Sequence, residues 1–134
     1  MTDYNARILD AKGNAPVWGD HARVIRPVTN IPAGDSLSKA WLTVKTSPAT
    51  QLDAAAALQL EITSVLSADG QITDTGAGDT IGSLTFKISG LDYDELEPTV
   101  NYYYDIAVLT AAGVRYTLEI GRVTWAQEVT RATA

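Results

Sequence analysis

The chain contains no cysteine and, in 134 residues, a single histidine, a single methionine and a single phenylalanine. Without cysteine there is no disulfide framework, thiol nucleophile or thiolate metal site, and composition says nothing about redox compartment. His21 has only Asp20 beside it in Trp18-Gly19-Asp20-His21. A general base needs a nucleophile or an orienting partner, and one histidine without cysteine cannot assemble a common zinc site, so a solvated residue at the start of a strand is expected. Cations are scarce too: ten Lys and Arg against sixteen Asp and Glu give a formal charge of -6, with no basic cluster. That excludes the footprint of a nucleic-acid binder and favours solubility. No run approaches the roughly 18 apolar residues of a membrane helix, and the opening MTDYNARILDAKG has no apolar stretch behind a basic start. The expectation is a soluble chain that stays where it is made unless an assembly carries it. Gly76 to Thr80, GAGDT, lacks the spacing and the lysine of a phosphate-binding loop.

What the chain does have is alternation. Its length fits one domain with one core. Residues 1–20 show no period and read as an extended N-terminal arm, leaving 21–134 as a single domain. From Ala22 a strand runs to near Pro27, with Val24, Arg26 and Val28 interleaved with Arg23, Ile25 and Pro27. In Lys39 to Ser47, Ala40, Leu42 and Val44 point one way and Trp41, Thr43 and Lys45 the other, the period of a half-buried strand. Trp41 on the polar side implies that this face is covered as well. The alanine run predicts a helical turn over Leu52 to Ala57, followed by a strand through Leu58, Leu60 and Ile62. Ser67 to Gly82 reads as a long glycine-punctuated loop holding a short hairpin arm at Gln71 to Thr73, and Leu84, Phe86 and Ile88 mark the next strand.

The last third carries the clearest pattern. Tyr102, Tyr104, Ile106 and Val108 share one face, and after the turn Ala111-Ala112-Gly113 the set Val114, Tyr116, Leu118 and Ile120 does the same. Val123 and Trp125 then fall at odd positions, so a bulge or bend is expected at Gly121. Six or more strands with little helix predict an all-β, antiparallel, immunoglobulin-like or fibronectin-III-like β-sandwich. Leu96, Pro98 and Tyr102 resemble the spacing of the tyrosine corner in such sandwiches, where a phenol satisfies backbone left unpaired at the crossover between sheets. Tyr102 is then structural, Tyr104 lies deeper on the same face, and Tyr103 looks outward.

Chemistry-bearing residues are few. Asp69, Asp74 and Asp79 sit in the glycine-rich loop, but their spacing differs from the alternate-position ligands of an EF-hand. Asp92, Asp94, Glu95 and Glu97 crowd one connecting turn, whereas paired carboxylates for glycoside cleavage face each other across a cleft. Neither set predicts a metal or a catalytic pair, and no cofactor is expected. Trp18, Trp41 and Tyr103 are candidates for stacking on sugars or for subunit packing.

Three stretches carry a resemblance: Lys39 to Lys45 (KAWLTVK), Ile62 to Gly76 (ITSVLSADGQITDTG) and the run from Tyr102 to Thr130. Together they resemble small structural proteins of tailed bacteriophages and prophages, including the N-terminal domain of baseplate upper proteins and capsid decoration proteins. The resemblance implies a non-enzymatic virion protein found in the virion, and in the host cytoplasm during assembly. It is expected to be a capsid decoration or cement protein, or else a neck, tail or baseplate component, that binds other virion proteins as a homo-oligomer or in many copies and binds neither nucleic acid nor membrane. No catalytic residue belongs to the pattern. Trp18, Tyr103 and Arg131 are the expected interface residues, with the arm and the tail beyond Trp125 sharing in the contact. A carbohydrate-binding module on a host-facing surface is the alternative, and a hydrolase using the turn acids is a further rival.

Overall fold

The computed structural model describes residues 4–6, 21–46, 56–78 and 81–127. Eight strands run in chain order: β1 Tyr4–Ala6, β2 Ala22–Val28, β3 Leu37–Lys45, β4 Leu58–Ile62, β5 Gly70–Asp74, β6 Gly82–Ile88, β7 Tyr102–Thr110 and β8 Arg115–Val123. They form two four-stranded sheets, ordered β1-β2-β6-β5 and β4-β3-β7-β8. Every pairing is antiparallel except β1 with β2, which is parallel. The described residues are all-β, with a 3-10 turn at Gly90–Tyr93.

Alternation in the sequence becomes burial in the sandwich. Val24 and Val28 of β2, Ala40, Leu42 and Val44 of β3, Leu60 and Ile62 of β4, Leu84, Phe86 and Ile88 of β6, and Tyr102, Ile106 and Val108 of β7 all face the core. The Ala111-Ala112-Gly113 loop closes the last hairpin, with Gly113 at φ +90° and its N–H donated to Thr110 O. Asp35 ties a second loop to this hairpin: its Oδ1 accepts the N–H of Ser36 at 2.8 Å and that of Ala112 at 3.1 Å.

Several expectations change. Gln71 to Thr73, expected as a short hairpin arm, is the middle of a five-residue strand, β5, paired antiparallel with β6. Gly70 permits this close approach, since at φ +127° a Cβ there would stand 2.0 Å from Thr85 O. Of the arm, Tyr4–Ala6 are a strand beside Ala22 to Val24, and the other arm residues lie outside the described residues. The helical turn expected over Leu52 to Ala57 lies largely outside them as well.

The main correction concerns β8. The irregularity is not at Gly121. Ile106 pairs with Glu119 and Ala107 with Thr117, so Leu118 is the extra residue of a β-bulge. Because side chains alternate with period two, one extra residue exchanges the faces of everything after it. Ile120 therefore leaves the core face and stands 77 % exposed, while Glu119, Gly121 and Val123 turn inward. Gly121 is opposite Tyr104, and a Cβ there would lie 2.7 Å from the Tyr104 ring. The aromatic ring packs over a glycine across the strand pair.

Two outcomes test these contacts. Gly121→Ala forces the Tyr104 ring aside, and chemical denaturation should show a loss of about 1–3 kcal/mol, the usual cost of overpacking. An unchanged midpoint would show that the ring is not confined there. The Asp35 carboxyl is held below its ordinary value, first by the Thr110 hydroxyl and then by backbone donors. A depressed carboxyl adds stability above its unfolded pKa, and that stability is lost as pH falls through the lower folded value. Asp35→Asn should thus be less stable than the parent at neutral pH, and the difference should shrink in acid titration as pH falls through the carboxyl's lowered folded value.

Candidate functional site

The tyrosine triplet divides into three roles. Tyr102, buried at the start of β7, accepts the backbone N–H of Glu97 on its hydroxyl at 2.8 Å, reaching back across the crossover. Leu96 is buried beneath this corner and Pro98 is half-buried beside it. Trp125 fills the space below, fully enclosed, with its ring edge-on to Tyr102 at 6.0 Å and to Tyr93 at 6.4 Å. Its carbonyl accepts the N–H of Thr99, which is held at φ +66°, an uncommon conformation for a β-branched residue. The corner is therefore anchored from both sides by backbone hydrogen bonds.

Tyr104 belongs to a polar bridge between the sheets. Arg26 of β2 is 8 % exposed and points inward between Val24 and Val28. Its Nε donates to Glu119 Oε1 at 2.7 Å and its Nη2 to Oε2 at 3.0 Å, while Nη1 donates to Ile25 O at 3.0 Å. Tyr104 Oη donates to the same Glu119 Oε2. Burial alone would lower the Arg26 pKa, but the paired carboxylate outweighs it and the net shift is upward. Tyr104 is pushed up to about 12, by desolvation first and then by the adjacent Glu119. A carboxylate clamped by a fork of guanidinium donors and a phenol is fully occupied, so the constellation is structural rather than an acid–base pair.

Tyr103 is on the opposite face of β7, the outer face of the second sheet. The Arg122 guanidinium lies 5.4 Å from its ring centre. One strand further, Trp41 donates its indole N–H to Glu61 at 2.8 Å, and Arg115 stacks over its ring at 4.6 Å. Arg115 and Trp41 belong to β8 and β3, so the pair spans β7 at Ala107, which is 3 % exposed although it lies on the outer side. Arg115 and Arg122 are seven positions apart, an odd number that in a regular strand sends them to opposite faces. The Leu118 bulge brings both to one face. Ile120 stands between them. Among the described residues this face carries four cations, Lys39, Lys45, Arg115 and Arg122, against two carboxylates, Glu61 and Asp105.

The remaining candidates are dispersed. Trp18 and Arg131 lie outside the described residues. His21 is exposed and borders a shallow groove with Arg23, Lys87 and Ser89. Asp69 accepts the N–H of Glu61 and Asp74 that of Gly76, while Asp79 lies outside the described residues; among those described, no three His, Asp or Glu converge on a metal position. Asp92 accepts the N–H of Ser89 and is pushed up by burial, whereas Asp94, Glu95 and Glu97 are exposed on the turn. The paired arginines went unread in the sequence because their parity is wrong for one face; only the bulge reconciles them. Comparison of the chain with protein-family models, with curated proteins and with solved structures finds no match in any of the three.

Tyr104 offers a direct readout of the bridge. A phenol whose pKa is raised on folding adds stability that is complete below pH 10 and lost as pH climbs toward about 12. In an ultraviolet titration Tyr104 should contribute to the late-ionising phase, and Tyr104→Phe should reduce that phase by one phenol while costing about 1–3 kcal/mol. A high-pH phase left unchanged by Tyr104→Phe would mean that the phenol is not engaged.

Proposed function

We propose that this protein is a non-enzymatic structural subunit of a tailed-bacteriophage virion, an immunoglobulin-like sandwich that binds other virion proteins through the outer face of its second sheet. A capsid decoration role is the first form of this reading, with a neck, tail or baseplate position as the others. The observation that carries it is the pair of aromatic-stacked arginines on the outer face of the second sheet. A guanidinium resting on an aromatic ring is held in plane with its N–H edges turned outward, ready to take a carboxylate of a protein partner in a bidentate contact. Tyr and Trp combined with Arg are the residue types that dominate protein interfaces.

Strand order supports the immunoglobulin-like form. The order β1-β2-β6-β5 against β4-β3-β7-β8 follows the connectivity in which the first, second, fifth and fourth strands of the sandwich oppose the third, sixth and seventh, with β4 as an added edge strand. Tyr102 at the start of β7 occupies the corner position of that topology. The virion role rests on the resemblance of KAWLTVK, ITSVLSADGQITDTG and the closing hairpin to phage structural modules. The N-terminal arm with Trp18, and the tail with Arg131, remain part of the proposed contact.

The stacking geometry weighs against the carbohydrate-binding alternative. Sugars stack on open aromatic faces, and here Arg115 and Arg122 lie over Trp41 and Tyr103. For the test, density-banded particles from cells carrying the encoding genome would be analysed by quantitative mass spectrometry. The chain should appear in fixed multiple copies per particle, and the Arg115→Ala, Arg122→Ala double variant should be incorporated about tenfold less or worse, the ratio that corresponds to 1.4 kcal/mol. Absence of the wild-type chain from particles, or glycan-array binding that is lost with Tyr103→Ala, would reject the reading.

A further inference from the structure

The outer face of the second sheet and the crossover turn are opposite in sign. On the face, Trp41, Tyr103 and the exposed Ile120 supply apolar surface, and Lys39, Lys45, Arg115 and Arg122 outnumber the two carboxylates there, Glu61 on Trp41 and Asp105 beside Ile120, so the face is net cationic. On the turn, Leu91 projects from the 3-10 segment, 84 % exposed, within a stretch from Ser89 to Asn101 that holds Asp92, Asp94, Glu95 and Glu97 and no Lys or Arg. An exposed apolar knob among carboxylates is the counterpart of apolar surface among guanidinium and ammonium groups. Asp94, Glu95 and Glu97 on the turn and Arg115 and Arg122 on the face are all exposed, so both surfaces are open to a second molecule.

We infer that the outer face of the second sheet docks a second copy of this chain, by receiving that copy's Leu91 knob and the carboxylates of Asp94, Glu95 and Glu97 on Arg115 and Arg122. The contact joins two different surfaces, so it is heterologous and propagates head to tail, closing into a ring where the rotation permits and otherwise extending as a row. The chain as a whole carries a charge of -6, so copies repel on average; attraction requires that the cationic face meet the acidic turn and depends on orientation. The β8 edge itself is a poor alternative contact. Its Leu118 bulge and its arginines are the devices that keep an edge strand from pairing with another. This inference deepens the proposed function and rests on its choice of face.

Sedimentation velocity of the purified full chain tests it, with wild type compared with Arg115→Glu, Arg122→Glu (face variant), with Asp94→Lys, Glu95→Lys (turn variant) and with Leu91→Ser. At about 0.01 M salt, where charges act over ~30 Å, wild type should form dimers and larger species, and at about 1 M salt, where the range is ~3 Å, it should dissociate. Face and turn variants alone should each associate about tenfold more weakly or worse, and an equimolar mixture of the two should recover heterodimers, because each then supplies the charge that the other has lost. Leu91→Ser, an exposed change with little reach into the fold, should weaken association without altering the thermal midpoint. Monomers at low salt throughout, or association unaffected by the face and turn changes, would overturn the inference. Failure here with face variants still excluded from particles would leave the virion reading standing with a different partner on the face; self-association of a chain absent from particles would do the reverse.

Discussion

The sandwich depends on the phase of a single strand. β8 begins with one set of residues inward and ends with the other set inward, and the change of phase at Leu118 is what allows Glu119 to reach Arg26 in the opposite sheet. A guanidinium held between Val24 and Val28 is costly to desolvate and would be strongly destabilising without its carboxylate, so the bridge and the bulge stand together. Gly121 follows from the same phase. It is the inward residue beneath Tyr104, and only a missing side chain lets the ring lie flat enough for its hydroxyl to join Glu119.

Much of this architecture is legible as period-two alternation. Ala40, Leu42 and Val44, Leu84, Phe86 and Ile88, and Tyr102, Ile106 and Val108 are apolar at every second position, and each set is buried. The spacing of Leu96, Pro98 and Tyr102 likewise falls at a crossover where the phenol meets a backbone donor. Local pattern suffices in these cases because the physics is local: a strand with one wet face and one dry face records the difference in its own residues.

The candidate site was far less legible. Arg26 appears among the alternating residues of β2, but its partner is 93 positions away and no local pattern announces it. Ile120 mimics a core residue and Glu119 a solvated one, so the apolar count places the irregularity at Gly121, three residues late. β5 was legible only in its middle, Gln71 to Thr73, because glycines that look like punctuation, Gly70 above all, are there to let two backbones approach. Arg115 and Arg122 carry no signal at all until the change of phase sets them on the same surface.

The Leu118 bulge also constrains how this molecule can vary in length. Adding or removing one residue between the hairpin turn and Val123 would transpose the inner and outer sides of that segment, sending a carboxylate out, an arginine in and Trp125 away from the corner. A change of two residues would keep every side chain on its proper side. Indels in this segment are therefore tolerated by parity more than by size, and the same interval that would absorb a pair of residues quietly would not survive one.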